Sequence, residues 1–216
     1  MKPFLLYGSY GYTGELISAQ ALREGISPLL AGRDAARLKA QAESLGLEYR
    51  AFPLSDGAAL DSALREAQLV VHAAGPFVHT YRPMVEACLR TGRHYVDISG
   101  EIPGFEALAA LDEQAKAAGI MLLPGGGFDV VPSDCLAAHL KRLLPSATHL
   151  RLYIRGTGAG ASRGTLTSSI ENMQRGGMVR RDGMLVRVPV GWRTPRVDFG
   201  RGPIQTALIG WGDVST

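Results

Sequence analysis

Short apolar runs and amphipathic stretches alternate along the first two thirds of the chain. PFLLY (3–7) predicts a strand, and YTGELISAQALREG a helix carrying Leu16, Ile17, Ala21 and Leu22 on one face. SPLLAG predicts a second strand, followed by a helix over DAARLKAQAESLG that Asp34 caps and Gly46 ends. EYRAFPL, ALDSALREA and QLVVHAA continue as strand, helix and strand, and YRPMVEACLRTG, HYVDIS, PGFEALAALDEQAKAAG and IMLLPGG extend the alternation. LVVHAA and IMLLP are apolar on both faces, as strands of a parallel sheet covered on both sides must be. The pattern predicts βαβ units and a Rossmann-type α/β domain with a doubly wound parallel sheet over residues 1–146.

The pattern changes near residue 147. THLRLYIR alternates strictly, with Leu150, Leu152 and Ile154 on one face, and predicts a strand with one solvated side. A glycine-rich turn GTGAGASRG, a helix TLTSSIENMQRGG and the short runs MLVRVPV, RVDFG and IQTALIGW follow. Residues 147–216 therefore read as the start of an α+β substrate or dimerisation domain built on an antiparallel sheet.

The glycines at 8, 11 and 14 in GSYGYTG give the first βα turn a chemical meaning. A helix N-terminus offers unpaired N–H groups and the positive end of its dipole to a pyrophosphate. In that role Gly8 permits the tight turn, Gly11 lets the backbone approach the phosphates, and Gly14 lets helix and strand pack closely. Gly8, Ser9, Tyr10, Gly11, Tyr12, Thr13 and Gly14 are thus candidate cofactor-binding residues, with Tyr10, Tyr12 and Thr13 forming a rim. The second strand ends LLAGRD, so Arg33, planar and permanently charged, suits a 2′-phosphate and favours NADP(H) over NAD(H). Asp56, in PLSDGAAL, is either an adenine contact or a helix cap. Ala73, Ala74, Gly75 and Pro76 follow the fourth strand and would leave room for the nicotinamide ribose.

Charge and cysteine content narrow the alternatives. Residues 1–150 hold 13 Lys and Arg against 16 Asp and Glu, whereas residues 151–216 hold 10 arginines against four acidic residues. The basic end faces an anionic substrate or is solvated surface, and without interleaved aromatics it does not predict nucleic-acid binding. Cys88 and Cys135 lie far apart and the five histidines show no ligand spacing, so neither a disulfide framework nor a metal site is expected, and a reducing cytoplasm is. No run is long enough for a membrane span. Cys135, in a helical pattern, reads as a core residue.

These blocks together resemble the saccharopine dehydrogenase-like reductases. GSYGYTG, LLAGRDAARL, VVHAAGPFVHTYRPMVEACLRTGRHYVDISGE, PGGGFDVVPSD, ASRGTLTSSIE and WGDVST carry the resemblance. It implies an NADP-dependent oxidoreductase with a Rossmann domain and an inserted α+β substrate domain. That family includes enzymes that reduce imines in amino-acid metabolism and trans-acting enoyl reductases of lipid synthesis. The resemblance also places HYVDISGE, with Asp97, Ser99, Gly100 and Glu101, and FDVVPSD, with Phe128 and Asp129, along the substrate pocket. Asp97 is the first candidate proton donor, with a helix cap or a loop-fixing acceptor as its other readings, and His79 and Tyr81 are lesser candidates. The expected function is hydride transfer to or from a small-molecule C=N or C=C substrate. The alternative is an NADPH-binding redox sensor without turnover. In the resembling family the chain continues beyond WGDVST, so the 216 residues are expected to be part of a longer enzyme whose uncovered strands would favour a homodimer.

Overall fold

The computed structural model describes residues 1–156, 176–189 and 191–216. Six strands form one parallel sheet: β1 (Lys2–Tyr7), β2 (Leu29–Gly32), β3 (Tyr49–Ala51), β4 (Ala67–His72), β5 (His94–Asp97) and β6 (Leu122–Leu123). Their order is β3-β2-β1-β4-β5-β6. The chain winds outward from β1 in one direction and resumes at β4 in the other. The helices that follow β1 and β4 therefore leave toward opposite faces of the sheet and open a crevice at its carboxyl edge, where sheets of this kind take a ligand.

Neighbouring residues of β1 show why both faces are apolar. Leu5 and Leu6 are each fully buried, yet they join different clusters. Leu5 packs with Leu29, Val70 and Tyr95 and with helices α3 (Gly57–Arg65) and α4 (Phe77–Thr91). Leu6 packs with Leu30 and with Leu38 and Ala42 of α2 (Ala35–Leu45). Each such side chain contributes roughly 1.5–3 kcal/mol on burial.

Of the expected face of helix α1 (Tyr12–Arg23), Ala21 is buried and Ile17 packs against the Leu6 cluster, whereas Leu16 is 55% exposed and the other buried positions are Gly14 and Ser18. Gly14 lies against the turn after β1, where a β-carbon would come 2.6 Å from Ser9 O, and Ser18 satisfies its hydroxyl by donating to the Gly14 carbonyl at 2.9 Å. Asp34 caps α2 and Gly46 ends it in the left-handed conformation, as expected. Helices α5 (Ile102–Ala109), α6 (Asp112–Ala118) and α7 (Val131–Leu143) complete this part. No residue of α7 is buried, so Cys135 is an exposed residue, contrary to the core placement expected from its pattern.

Beyond α7 two small antiparallel pairs are described: β7 (Gly177–Arg181) with β8 (Met184–Val188), and β9 (Arg196–Asp198) with β10 (Pro203–Gln205). The strand expected over THLRLYIR is not formed. Among the described residues no strand runs beside it, and without a partner an alternating pattern has nothing to hydrogen-bond against. IQTALIGW is strand only at its start. The GTGAGASRG turn and most of the TLTSSIENMQRGG helix lie outside the described residues. The chain closes with a 3-10 turn at Gly212–Val214, which packs on α5 and β7. No helix among the described residues is long and apolar enough to cross a membrane.

Candidate active site

The three glycines of the first turn are required for three different reasons. Gly8 has φ +86°, and a β-carbon there would lie 2.9 Å from Ala74 Cβ, because the turns after β1 and β4 touch. A β-carbon on Gly14 would press on backbone oxygens of the same turn, at 2.6 Å from Ser9 O. Gly11, the N-cap of α1, has extended angles (φ −78°, ψ 163°), and a β-carbon there would meet only Gly8 O at 3.2 Å. Two glycines close the turn on itself, and the third is the least crowded, with Gly8 O as its one close neighbour.

Helix starts at this edge differ in how they are capped. Asp34 accepts from Arg37 N at 3.1 Å on α2, and Asp56 accepts from Ala59 N at 3.0 Å on α3. On α4 the carboxylate of Glu101 accepts from Phe77 N at 3.0 Å and Val78 N at 2.7 Å. The start of α1 has no side-chain cap. The starts of α5 and α7 lack a side-chain cap as well. Of the two helices that flank the crevice between β1 and β4, however, only α1 keeps its first N–H groups and dipole free of a side-chain acceptor, an arrangement that suits an anion. Asp56 takes the capping role of its two readings.

The adenosine end was only partly legible. Arg33 is exposed beyond β2, as a 2′-phosphate contact requires. Tyr10 does not stand in a rim over the phosphates. Its ring lies on Gly32, where a β-carbon would come within 2.6 Å, and its hydroxyl accepts from Asp34 N at 3.1 Å. The guanidinium of Arg37 covers the other side of that ring. Ser9 is fully buried, and its hydroxyl donates to Gln41 Oε1 at 2.7 Å, away from the crevice. Only the Ser9 backbone remains at the turn. Tyr12 is 70% exposed.

At the other end, residues 73–76 run from β4 to α4 through a cis Gly75–Pro76 bond. Thr80 holds this turn: its hydroxyl donates to Ala74 O at 2.8 Å and lies 2.9 Å from His72 Nε2. His72 is fully buried among Tyr7, Phe77 and Tyr95, and burial pushes its pKa down to about 3, so it is neutral. Tyr81 is a core residue, whereas His79 is exposed on the first turn of α4.

Asp97, at the end of β5, is 1% exposed. Oδ1 accepts from Ser99 N at 2.9 Å and Gly125 N at 2.8 Å, and Oδ2 from the Tyr95 hydroxyl at 2.7 Å. Desolvation nonetheless holds its pKa above the usual carboxylate range. Three donors consume both oxygens, which favours the loop-fixing reading over the proton donor. Ser99 is also buried, and its hydroxyl accepts from Glu101 N at 2.9 Å. Phe128 is 87% exposed. Asp129 is half-buried beside Gly100, and its main-chain carbonyl accepts from the Trp211 indole. Burial and then the neighbouring Asp213 raise its pKa. Sequence reasoning passed over Arg37, Trp211 and Asp213, and it named Glu101 without its capping role. Of these only Arg37, one helical turn after Arg33, left a local signal.

Comparison with known proteins follows the same lines. The family model of the saccharopine dehydrogenase NADP binding domain matches residues 4–123. A trans-acting enoyl reductase of Mycobacterium leprae is 35% identical over 146 residues, covering 64% of this chain and 35% of that protein. The human saccharopine dehydrogenase-like oxidoreductase is 30% identical over 156 residues, covering 62% of this chain and 36% of that protein. The chain spans less than half the length of the relatives it matches. Apo saccharopine dehydrogenase (L-Glu forming) from Saccharomyces cerevisiae shares the fold, with a TM-score of 0.58 at 24% identity over 68% of this chain and 32% of that one. With more than half of its residues matched, the chain belongs to the saccharopine dehydrogenase NADP-binding family, an oxidoreductase family whose cofactor is NADP(H).

Proposed function

We propose that this protein transfers a hydride between NADP(H) and a small-molecule substrate with a C=C or C=N bond. The observation that carries the reading is the uncapped start of α1 above Gly11, beside the exposed Arg33. The enoyl reductase relative favours C=C, and the saccharopine dehydrogenase fold relative keeps C=N in view.

The bound nicotinamide would supply or take up the hydride. This chain's residues do the rest. The Gly8–Gly14 turn and the α1 N-terminus would hold the pyrophosphate, and Arg33 the 2′-phosphate. The turn 73–76, held by Thr80, walls the crevice. Asp97 fixes the turn into residues 98–101. Asp129, half-buried and with a raised pKa, is the pocket carboxyl fitted to hold a proton at its Oδ atoms or to orient substrate.

The test is NADPH oxidation, followed at the nicotinamide absorbance, with panels of enoyl and imine substrates. Consumption with one panel sets the class. Tight NADPH binding with no consumption would favour a redox-sensing module instead.

A further inference from the structure

Asp34 and Asp56 cap their own helices from three residues away. Glu101 does something different. It reaches α4 from 24 and 23 residues further along the chain, out of the turn that follows β5. The residue at the helix's own N-cap, Pro76, offers no side-chain hydrogen bond. Glu101 is 5% exposed, and a carboxylate so buried is retained at a cost unless strong donors meet it. The amides of Phe77 and Val78 meet it, at a helix end whose dipole favours negative charge. Its own N–H is fixed by Ser99, and Ser99 N by Asp97, so the whole turn 97–101 is rigid up to α4.

This arrangement has a consequence for the cofactor. Two helices, α1 and α4, start on either side of the crevice, and an open start is an anion site. We propose that Glu101 is a positioning residue of the cofactor crevice: it closes α4 to anions, leaving α1 to take the pyrophosphate, and ties the substrate-side turn to turn 73–76. The proposal rests on the reading of α1 as the phosphate-binding end.

The experiment uses the whole chain, with inorganic pyrophosphate as probe. Wild type is expected to bind one pyrophosphate per chain by calorimetry, displaced by NADPH. Glu101→Ala and the nearly isosteric Glu101→Gln are expected to bind a second that NADPH does not displace. Amide exchange should quicken about tenfold or more at both Phe77 and Val78 in Glu101→Ala, and at one of the two in Glu101→Gln, whose carboxamide keeps a single acceptor oxygen. Circular dichroism establishes folding, and Glu101→Gln carries the test if Glu101→Ala unfolds. A single pyrophosphate site in the folded variants overturns the proposal whatever the amides do. Failure of wild type itself to bind pyrophosphate in competition with NADPH instead removes the reading of α1.

Discussion

Arg37 and Tyr10 form one recognition unit. The Arg37 guanidinium sits 4.6 Å from the centre of the Tyr10 ring and donates from Nη2 to the Tyr10 carbonyl at 2.7 Å. Tyr10 in turn occupies the space over Gly32 that ends β2. A guanidinium pinned in this way is positioned with little entropy left to lose, whereas Arg33 beside it is exposed. The two arginines should therefore behave differently.

Arg33→Ala is expected to weaken NADPH by roughly 1.5–3 kcal/mol, the range for a hydrogen bond to a charged group, and to leave NADH nearly unchanged. Arg37→Ala should weaken both cofactors by a similar, smaller amount, because it frees Tyr10. Fluorescence titration with the two nucleotides measures both. A loss of NADPH preference in Arg37→Ala equal to that in Arg33→Ala would make Arg37 a direct phosphate contact.

The glycines separate folding from binding. The angles of Gly11 are open to any L residue, and its one close neighbour, Gly8 O at 3.2 Å, has to give by only a few tenths of an ångström. Gly11→Val should therefore fold with a small loss of stability yet lose dinucleotide affinity. Gly14→Ala should be destabilised by roughly 1–3 kcal/mol, as an overpacked site is, because its neighbours are backbone oxygens that cannot turn aside. Thermal melts and calorimetry on the two variants give opposite patterns.

Asp97 can be tested by what replaces it. Asn keeps the shape and an acceptor for Ser99 N and Gly125 N, and its amide can donate to the Tyr95 oxygen. Asp97→Asn should thus fold and retain turnover, while Asp97→Ala strands two buried N–H groups at roughly 1–3 kcal/mol each. Loss of turnover in a stable Asp97→Asn would restore the proton-donor role. The pH dependence has a fixed sign. The folded carboxyl is raised above its unfolded value, so its favourable contribution is complete below the unfolded pKa and is lost as pH rises through the folded one. The stability of Asp97→Asn relative to wild type should accordingly increase from acid to neutral pH.

Asp129 and Asp213 are coupled. Burial raises both, and Asp213 adds a repulsive contribution to Asp129. Asp213→Asn should lower the Asp129 titration midpoint, followed by carboxyl NMR, yet leave it above the usual carboxylate range. An unmoved midpoint would mean the two charges do not interact.

The sequence made local features legible and missed those built by distant contacts. The strand–helix alternation, the Asp34 cap, the Gly46 stop and the three glycines each depend on a few adjacent residues. The Glu101 cap on α4 joins residues more than twenty positions apart, and the Trp211 indole reaches Asp129 across 82. No periodicity encodes such a pair. Leu150 to Ile154 failed in the opposite way. Their alternation is a local promise of a strand, but pairing depends on a neighbour that the described residues do not provide. Tyr10 misled because residue type and position in the turn do not say which way a ring swings, and the bare surface of Gly32 decided it.

The Trp211 contact also changes how the antiparallel pairs should be regarded. Chain leaving Asp129 comes back to Asp129, and Gly212 then fits under Phe105, where a β-carbon would come within 2.8 Å of the ring. Thr216 adds a second tie by donating to Asp134 at 2.7 Å, so the end of the described excursion is anchored beside its start. Doubling the length of a flexible surface loop costs in general only about 0.6 kcal/mol in closure entropy. Connecting turns within the excursion can therefore change in length with little effect on the sheet, provided the contacts at Phe105, Asp129 and Asp134 are kept. A single cofactor crevice could in this way be fitted with many different covers, each admitting its own substrate.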